Sequence, residues 1–175
     1  MNVTTYTSLS SDRQHIVELL ASTGGARKSL FGEAARVKRE YVGELVYFRG
    51  LIEFSNHCRK NCLYCGIRAG NRKVTRYDLS DDEIVNAARF ANDNGYGSIV
   101  LQSGELQGKI FAKRIETLLK KIHAATDYKL RITLSCGEQE SEVYRRWFES
   151  GAKRYLMRIE TSNPNLYAKL HPDDN

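Results

Sequence analysis

Residues 46–65 read VYFRGLIEFSNHCRKNCLYC and join a strand pattern to a group of three cysteines. The first half of this stretch is rich in aromatic and β-branched side chains, which favour a β-strand. Cys58, Cys62 and Cys65 follow at once in the spacing CxxxCxxC. The sequence therefore predicts a strand from Val46 that runs into a cysteine-bearing loop.

Helix and strand patterns alternate in the rest of the chain. Ser80 or Asp81 caps the first of these helices. The helical patterns cover 78–95, 110–126 and 141–151, and the strand patterns cover 98–105, 129–138 and 154–161. Such alternation implies right-handed βαβ crossovers and a parallel sheet. A complete (β/α)8 barrel needs about 250 residues. We therefore expect an α/β fold that is the N-terminal half of a TIM-type barrel, with about four βα units.

The residues before the first strand predict two helices. Apolar side chains recur at helical spacing over 10–22, and Gly24 and Gly25 are expected to end that helix. A second amphipathic helix is expected from about Lys28 to Tyr41. The predicted organisation is a helical extension, residues 1–45, followed by a core, residues 46–175, that is truncated at about the fourth βα unit.

Composition narrows the class of protein. The chain has 27 Lys and Arg and 21 Asp and Glu residues, and the basic residues are spread along its whole length, which does not favour nucleic-acid binding. No export signal and no apolar run of about 18 residues is present, so no membrane association is expected. We expect a cytoplasmic protein whose thiols remain reduced.

Three closely spaced cysteines favour an iron–sulfur cluster. A structural zinc site needs four protein ligands, whereas a 4Fe-4S cluster held by Cys58, Cys62 and Cys65 leaves one iron open. An open iron can bind the amino and carboxylate groups of S-adenosylmethionine (SAM) and pass an electron to its sulfonium. The alternatives are a zinc site completed by His57 or Cys136, or three cysteines without a metal. Cys136 is otherwise interpreted as a packed strand residue.

Polar residues near the cysteines are candidates for contacts with SAM. Tyr64 can stack on the adenine or simply pack within its loop. Gln102, Ser103 and Glu105 end the second strand, at the rim where parallel barrels place their sites. Glu105 can hold the SAM ammonium or cap the next helix.

Arginines on the strands predict an internal cavity. A period of two would place Arg154, Arg158 and Glu160 on one face of the fourth strand. Arg49 on the first strand would join them, and Thr133 would add a hydrogen-bond donor. Such a cavity suits a small anionic substrate, although ion pairing with glutamates is the alternative reading.

Four motifs together resemble the radical SAM superfamily, and within it the HydE family of FeFe-hydrogenase maturases. They are RGLIEFSNHCRKNCLYCGIR at 49–68, VLQSGE at 100–105, TLSCGE at 133–138 and RYLMRIETSNPNLYAKLHPD at 154–173. Biotin synthase and the methylornithine synthase PylB are similar relatives. One departure is Ile159, because the HydE family usually has a histidine there.

The resemblance implies a barrel with the 4Fe-4S cluster at its C-terminal mouth and SAM beside it, cleaved to a 5'-deoxyadenosyl radical. It implies an organometallic iron substrate, an electron donor and other hydrogenase maturases as partners. The implied roles are cluster ligation by the three cysteines, SAM contact by Gln102, Ser103, Glu105 and Glu160, and a substrate cavity lined by Arg49, Thr133, Arg154 and Arg158. A PylB-like methylornithine synthase and a metal-binding scaffold without catalysis are the alternatives.

Overall fold

The structure is a computed structural model that describes residues 13–172. The chain consists of two compact units. The first ends at Val46 and the second begins at Tyr47. The helices are α1 Arg13–Ala21, α2 Gly24–Tyr41, α3 Asp81–Asp93, α4 Lys109–Ala125, α5 Ser141–Glu149 and α6 Pro164–Leu170. The strands are β1 Gly50–Ser55, β2 Ser98–Ser103, β3 Arg131–Ser135 and β4 Ala152–Tyr155.

The first unit contains α1 and α2. The predicted boundary between them was wrong in detail, since α1 ends at Ala21 and the two glycines begin α2 instead of ending α1. Thr23 is extended and precedes the helix as its N-cap, while Gly24 has a φ of 54°. Glycine adopts positive φ without a steric cost, so it can turn the chain directly into a new helix. The predicted start of the first helix, residues 10–12, lies outside the described residues.

The second unit is built on a parallel sheet in the order β1-β2-β3-β4. Each crossover passes through a helix, and the strand order never reverses. Right-handed crossovers in one direction place every helix on the same face of the sheet. The arrangement is that of one part of a TIM-type barrel, and the predicted fold class is confirmed.

The core lies between the sheet and its helices. Strand residues at alternate positions, such as Phe54, Leu101 and Leu134, are fully buried against helix residues such as Ile115. The side chains on the other face of the sheet do not pack against these helices. The register aligns Leu51, Val100, Thr133 and Arg154 across the four strands. This second face corresponds to the interior of a barrel.

Two predicted strands are shorter than expected. β1 begins at Gly50 instead of Val46, and β4 ends at Tyr155 instead of continuing to Thr161. The last ladder contact of β4 is the Leu156 N–H donating to the Leu134 carbonyl at 2.8 Å. β4 is the edge strand of the described sheet. β4 pairs only with β3, which ends at Ser135, so the chain beyond Leu156 has no strand of the described sheet to pair with.

Helix α3 begins as the sequence predicted, with Ser80 as its N-cap. The Ser80 hydroxyl accepts from the Glu83 N–H and the Glu83 carboxylate accepts from the Ser80 N–H, which completes a capping box. None of the helices within residues 13–172 is both long enough and apolar enough to cross a bilayer.

Candidate functional site

The three cysteines lie in a loop, residues 57–76, whose two ends are joined at its base. The Asn56 N–H donates to the Tyr77 carbonyl at 3.3 Å, and the Tyr77 N–H donates to Asn56 Oδ1 at 2.8 Å. Ser55 and Asp78 form an isolated antiparallel bridge beside them. The loop therefore starts and ends at the C-terminal end of β1.

Arg76 holds the inside of this loop together. Its Nη1 donates to the carbonyls of Asn56 and Ile67, and its Nη2 donates to the carbonyls of Arg68 and Asn71, at 2.5 to 3.3 Å. Guanidinium has five donors in a rigid plane, so one side chain can satisfy several backbone carbonyls at once. The fold of the cysteine loop depends on this residue, which the sequence interpretation had not singled out.

None of the three cysteines is in a disulfide, and each is partly exposed. The Cys65 N–H donates to the Cys62 carbonyl at 2.9 Å, which folds the CxxC segment into a turn. Cys58 Sγ accepts the Glu105 N–H at 3.3 Å. Within residues 13–172, no three His, Cys, Asp or Glu side chains are already gathered as a metal site. Three thiols in one loop match the donors of a 4Fe-4S cluster, and binding would have to draw them together.

Gly104 allows the end of β2 to lie directly against the cysteine loop. A Cβ at this position would collide with the His57 carbonyl and stand 2.7 Å from Cys58 Cβ. The Gly104 N–H donates to the Ser55 carbonyl at 3.2 Å. Any side chain here would separate the loop from the strand.

Glu105 joins the end of β2 to the cysteine loop through ion pairs. Its Oε1 lies 3.2 Å from Arg59 and 3.7 Å from Lys60, and its Oε2 accepts the Glu138 N–H at 3.2 Å. The Arg59 N–H donates to the Glu105 carbonyl at 2.9 Å. Helix α4 is capped by Gly108 without a side-chain bond, so Glu105 does not cap it. The carboxylate is held at the cavity edge by two cations.

Residues of α6 and the residue that follows it hold Tyr64 in position. Its hydroxyl lies 2.9 Å from Nε2 of His171, and the two rings meet edge to face with centroids 5.5 Å apart. Nδ1 of His171 lies 3.0 Å from the Tyr167 carbonyl, and the rings of Tyr167 and His171 stack at 4.0 Å. The Leu63 N–H also donates to the Leu170 carbonyl at 2.9 Å. The end of α6 therefore fixes the CxxC turn.

Burial of Tyr64 and the negative charges of Cys62 and Glu160 raise the pKa of its phenol to about 12. The hydroxyl is therefore a proton donor at neutral pH. A carbonyl oxygen only accepts hydrogen bonds, so Nδ1 of His171 carries the proton and Nε2 accepts from Tyr64.

A cavity of about 270 Å³ opens beside the loop at the C-terminal ends of the strands. This volume is near the lower end of the range for small-molecule sites. The cavity contains all five residues predicted to contact SAM, together with one cysteine and one predicted substrate residue. These are Tyr64, Gln102, Ser103, Glu105, Glu160, Cys62 and Arg158. His171 and Tyr167 line it as well, and sequence reasoning had assigned neither a role.

The other predicted substrate residues do not line this cavity. Arg49 is exposed just before β1, and Thr133 is buried in the sheet opposite Arg154. Arg154 lines a separate apolar groove with Trp147 and Met157. Arg154 lies within β4, whereas Arg158 and Glu160 follow its end, so the period-two argument for a shared face does not hold. Arg158 alone of the predicted substrate residues reaches the cavity.

Cys136 is a packed residue. It is fully buried at the end of β3, and this burial raises the pKa of its thiol to about 11. The adjacent Tyr155 hydroxyl accepts the Cys136 N–H at 3.2 Å and donates to the Gly137 carbonyl at 2.6 Å. The Cys136 Sγ packs in the core, 3.9 Å from the Leu101 carbonyl, which disfavours the zinc alternative through Cys136.

The chain belongs to the Radical SAM superfamily, which residues 52–175 match. Members of this superfamily use a 4Fe-4S cluster and SAM, and the predicted cofactors agree with this membership. The chain is 46% identical over 149 residues to the [FeFe] hydrogenase maturase subunit HydE of Thermotoga maritima. That alignment covers 85% of this chain and 42% of HydE, so the chain spans less than half the length of this curated relative.

Solved structures agree with the fold. The FeFe-hydrogenase maturase HydG from Carboxydothermus hydrogenoformans superimposes with a TM-score of 0.77 and 26% identity, over 90% of this chain and 36% of HydG. Methylornithine synthase (PylB) superimposes with a TM-score of 0.78 and 23% identity, over 93% of this chain and 48% of PylB. The second likeness supports the fold alone.

Proposed function

We propose that Cys58, Cys62 and Cys65 hold a 4Fe-4S cluster and that the adjoining cavity binds SAM. When bound, the cluster supplies an electron to the sulfonium of SAM, which yields methionine and a 5'-deoxyadenosyl radical. The observation that carries this proposal is the convergence of Cys62 with all five predicted SAM residues on one cavity. Those residues come from the cysteine loop, the end of β2 and the segment after β4.

Different residues of the cavity suit different parts of the SAM molecule. Tyr64 presents an aromatic ring with a fixed hydroxyl, suited to stacking on the adenine. Gln102 and Ser103 offer hydrogen bonds from the end of β2. Glu160 is a carboxylate on the cavity wall for which no ion pair is seen within residues 13–172, so it suits the SAM ammonium. Glu105 serves instead to join the loop to β2, because Arg59 and Lys60 already neutralise it.

We further propose that the protein works as a HydE-type maturase in assembly of the FeFe-hydrogenase active site. The 46% identity to the Thermotoga maritima HydE subunit supports this role. Arg158 adds a cation to the cavity wall, which suits a small anionic or organometallic substrate.

Two experiments test the two levels of this proposal. Incubation of the iron-reconstituted chain with SAM and titanium(III) citrate should yield 5'-deoxyadenosine, and a Cys62→Ala variant should yield none. A chimera in which residues 47–172 replace the matching segment of Thermotoga maritima HydE should restore hydrogenase activity in a host that lacks HydE. A chimera that cleaves SAM but does not restore hydrogenase would exclude the maturase role and keep the radical SAM role.

A further inference from the structure

A second cavity lies at the end of the sheet opposite the cysteine loop. Its volume of about 590 Å³ is more than twice that of the cavity beside Cys62 and falls within the range of small-molecule sites. Leu130 and Arg131 line it at the start of β3, and Gly151 and Lys153 line it at the start of β4. The cysteine loop follows the carboxyl end of β1, and the strands are parallel, so the length of the strands separates the two cavities.

A buried histidine without hydrogen-bond partners lines this second cavity. His123 lies in the last turn of α4 and is 8% exposed. Neither its Nδ1 nor its Nε2 has a hydrogen-bond partner within residues 13–172. A buried polar group without a partner costs free energy, and a ligand that hydrogen-bonds to it removes that cost. The unpaired nitrogens of His123 therefore indicate that the cavity receives a polar ligand.

Two residues enclose the His123 ring. A Cβ at Gly151, where φ is 116°, would collide with Nε2, so glycine leaves the room that the imidazole occupies. Tyr128 stacks on the imidazole, with ring centroids 5.1 Å apart and an angle of 9° between the planes. Tyr128 is 77% exposed, so its ring lies between the histidine and solvent. Tyr128 is therefore a cover over His123.

The charges around the cavity favour an anion. Lys120, Arg131 and Lys153 line it together with one carboxylate, Glu149. Lys120 also lies 2.9 Å from Glu116, but two further cations share that carboxylate. The helices α4 and α5 end beside the cavity, and each helix C-terminus carries about half a negative charge. Three cations outweigh one carboxylate and two such helix ends, which leaves the cavity positive.

Two of these cations are free to turn toward a ligand. Arg131 is exposed and forms no ion pair within the described part of the chain. Lys153 donates to the Phe148 carbonyl at 3.3 Å, and its Nζ lies 4.1 Å from the centre of the Phe148 ring. Neither cation is held by a carboxylate, so an anion competes with no salt bridge for them.

We propose that this cavity binds a small organic phosphate, whose phosphoryl oxygens accept hydrogen bonds from Arg131, Lys153 and His123. Three donors match the three terminal oxygens of a phosphoryl group better than the two oxygens of a carboxylate. The volume exceeds what a bare phosphate ion fills, and Leu130 adds an apolar wall for the rest of the molecule. The Tyr128 ring turns aside as the ligand reaches the imidazole. This site goes beyond the proposed function, because none of its residues belongs to the cysteine loop or to the cavity proposed for SAM.

The test measures binding of ribose 5-phosphate, ribose, inorganic phosphate and acetate to the reconstituted chain by calorimetry. The key variant is Arg131→Gln with Lys153→Gln, and the matched control is Lys121→Gln with Lys129→Gln, which removes two exposed cations that do not line the cavity. All four side chains are exposed, so both variants should fold, which circular dichroism checks. The ring nitrogens of His123 are followed by ¹⁵N NMR and are assigned with a His123→Gln variant.

A further variant tests the cover. Tyr128 has a φ of 57°, which glycine adopts without a steric cost, so Tyr128→Gly uncovers His123 and leaves the turn intact. This variant should bind ribose 5-phosphate at least as tightly as the unmodified chain. Cys62→Ala should bind it equally well, because the cysteine loop lies at the other end of the strands.

Ribose 5-phosphate should bind and ribose should not, and the sugar phosphate should shift the His123 ring nitrogens. Arg131→Gln with Lys153→Gln should weaken binding about tenfold or more, and the control should stay within about twofold. Absence of binding, equal losses in the variant and its control, or unchanged His123 nitrogens would overturn the proposal. Acetate that binds as tightly as inorganic phosphate, or weaker binding in Tyr128→Gly, would also overturn it.

Discussion

The Tyr64 hydroxyl donates to Nε2 of His171 across 107 positions of sequence, at 2.9 Å. The same histidine donates through Nδ1 to the Tyr167 carbonyl and stacks on the Tyr167 ring. His171 is 5% exposed, so neither of its hydrogen bonds is readily replaced by water. The ring of Tyr64, which we propose stacks on SAM, is therefore held by the segment that follows β4.

Replacement of His171 by Phe tests this relationship. Phe keeps a ring beside Tyr167 but cannot accept the Tyr64 hydroxyl, so the orientation of Tyr64 is lost. SAM affinity should fall by about 1 kcal/mol, about fivefold, in equilibrium binding to the reconstituted chain. A Tyr64→Phe variant should lose a similar amount, and the double variant should lose little more than either single one. Additive losses would show that the two residues act separately.

Replacement of Arg76 by Lys should loosen the cysteine loop. One ammonium cannot reach the four carbonyls that the guanidinium joins, and buried carbonyls would be left without donors. We expect a loss of about 2 kcal/mol in the free energy of unfolding and less iron bound after reconstitution. Arg72→Lys is the matched control, since Arg72 is exposed in the same loop. Equal iron content in both variants would contradict this role of Arg76.

Gly104→Ala should separate β2 from the cysteine loop. The added methyl group meets the His57 backbone carbonyl, which cannot move aside as a flexible side chain can. Overpacking of this kind costs about 1–3 kcal/mol. We expect lower stability in chemical denaturation and poorer cluster retention. Gly97→Ala, which places its methyl group in open space, should be close to neutral, and similar effects of the two changes would argue against close approach as the reason for Gly104.

The ion pairs of Glu116 should make the free energy of unfolding depend on pH in the acidic range. Hydrogen bonds from Arg146, Lys120 and Lys113 lower the pKa of this carboxyl from 4.5 to about 2. A carboxylate with a lowered pKa stabilises the folded state fully above its ordinary value, and this contribution is lost as pH falls from 4.5 through about 2. Glu116→Gln should therefore be less stable than the unmodified chain at pH 7, and the difference should shrink across that acidic range.

Thermal unfolding at several pH values measures the effect of Glu116. Glu142→Gln is the control, because Glu142 pairs with Arg145 on the surface of α5. A surface pair contributes little to stability. A Glu116→Gln variant with the same pH dependence as the unmodified chain would show that the ion pairs of Glu116 do not act as described.

The sequence was sufficient to predict the parallel sheet and about half of the residues that line the cavity. Parallel strands all end at one edge, so residues after β1 and β2 had to meet there, and Gln102, Ser103 and Glu105 do lie beside Cys62. These features are local, and local patterns are readable from one chain.

Contacts between distant segments were not predictable in the same way. Nothing in the sequence distinguishes Arg76 from other loop arginines, because its carbonyl partners come together only in the folded loop. His171 pairs with Tyr64 because α6 ends beside the cysteine loop. The extent of β4 depends on which strands lie beside it, and a period of two could not reveal that. The placement of Arg158 in the cavity, and of Arg154 outside it, follows from this early end of the strand.

The most direct test of the central claim is an EPR spectrum of the reconstituted, reduced chain recorded with and without SAM. Binding of SAM to an open iron should change the 4Fe-4S signal. Cys62→Ala should abolish that signal, and Cys136→Ala should retain it, because Cys136 is buried away from the loop. A cluster signal that SAM leaves unchanged, or one that persists in Cys62→Ala, would contradict the account.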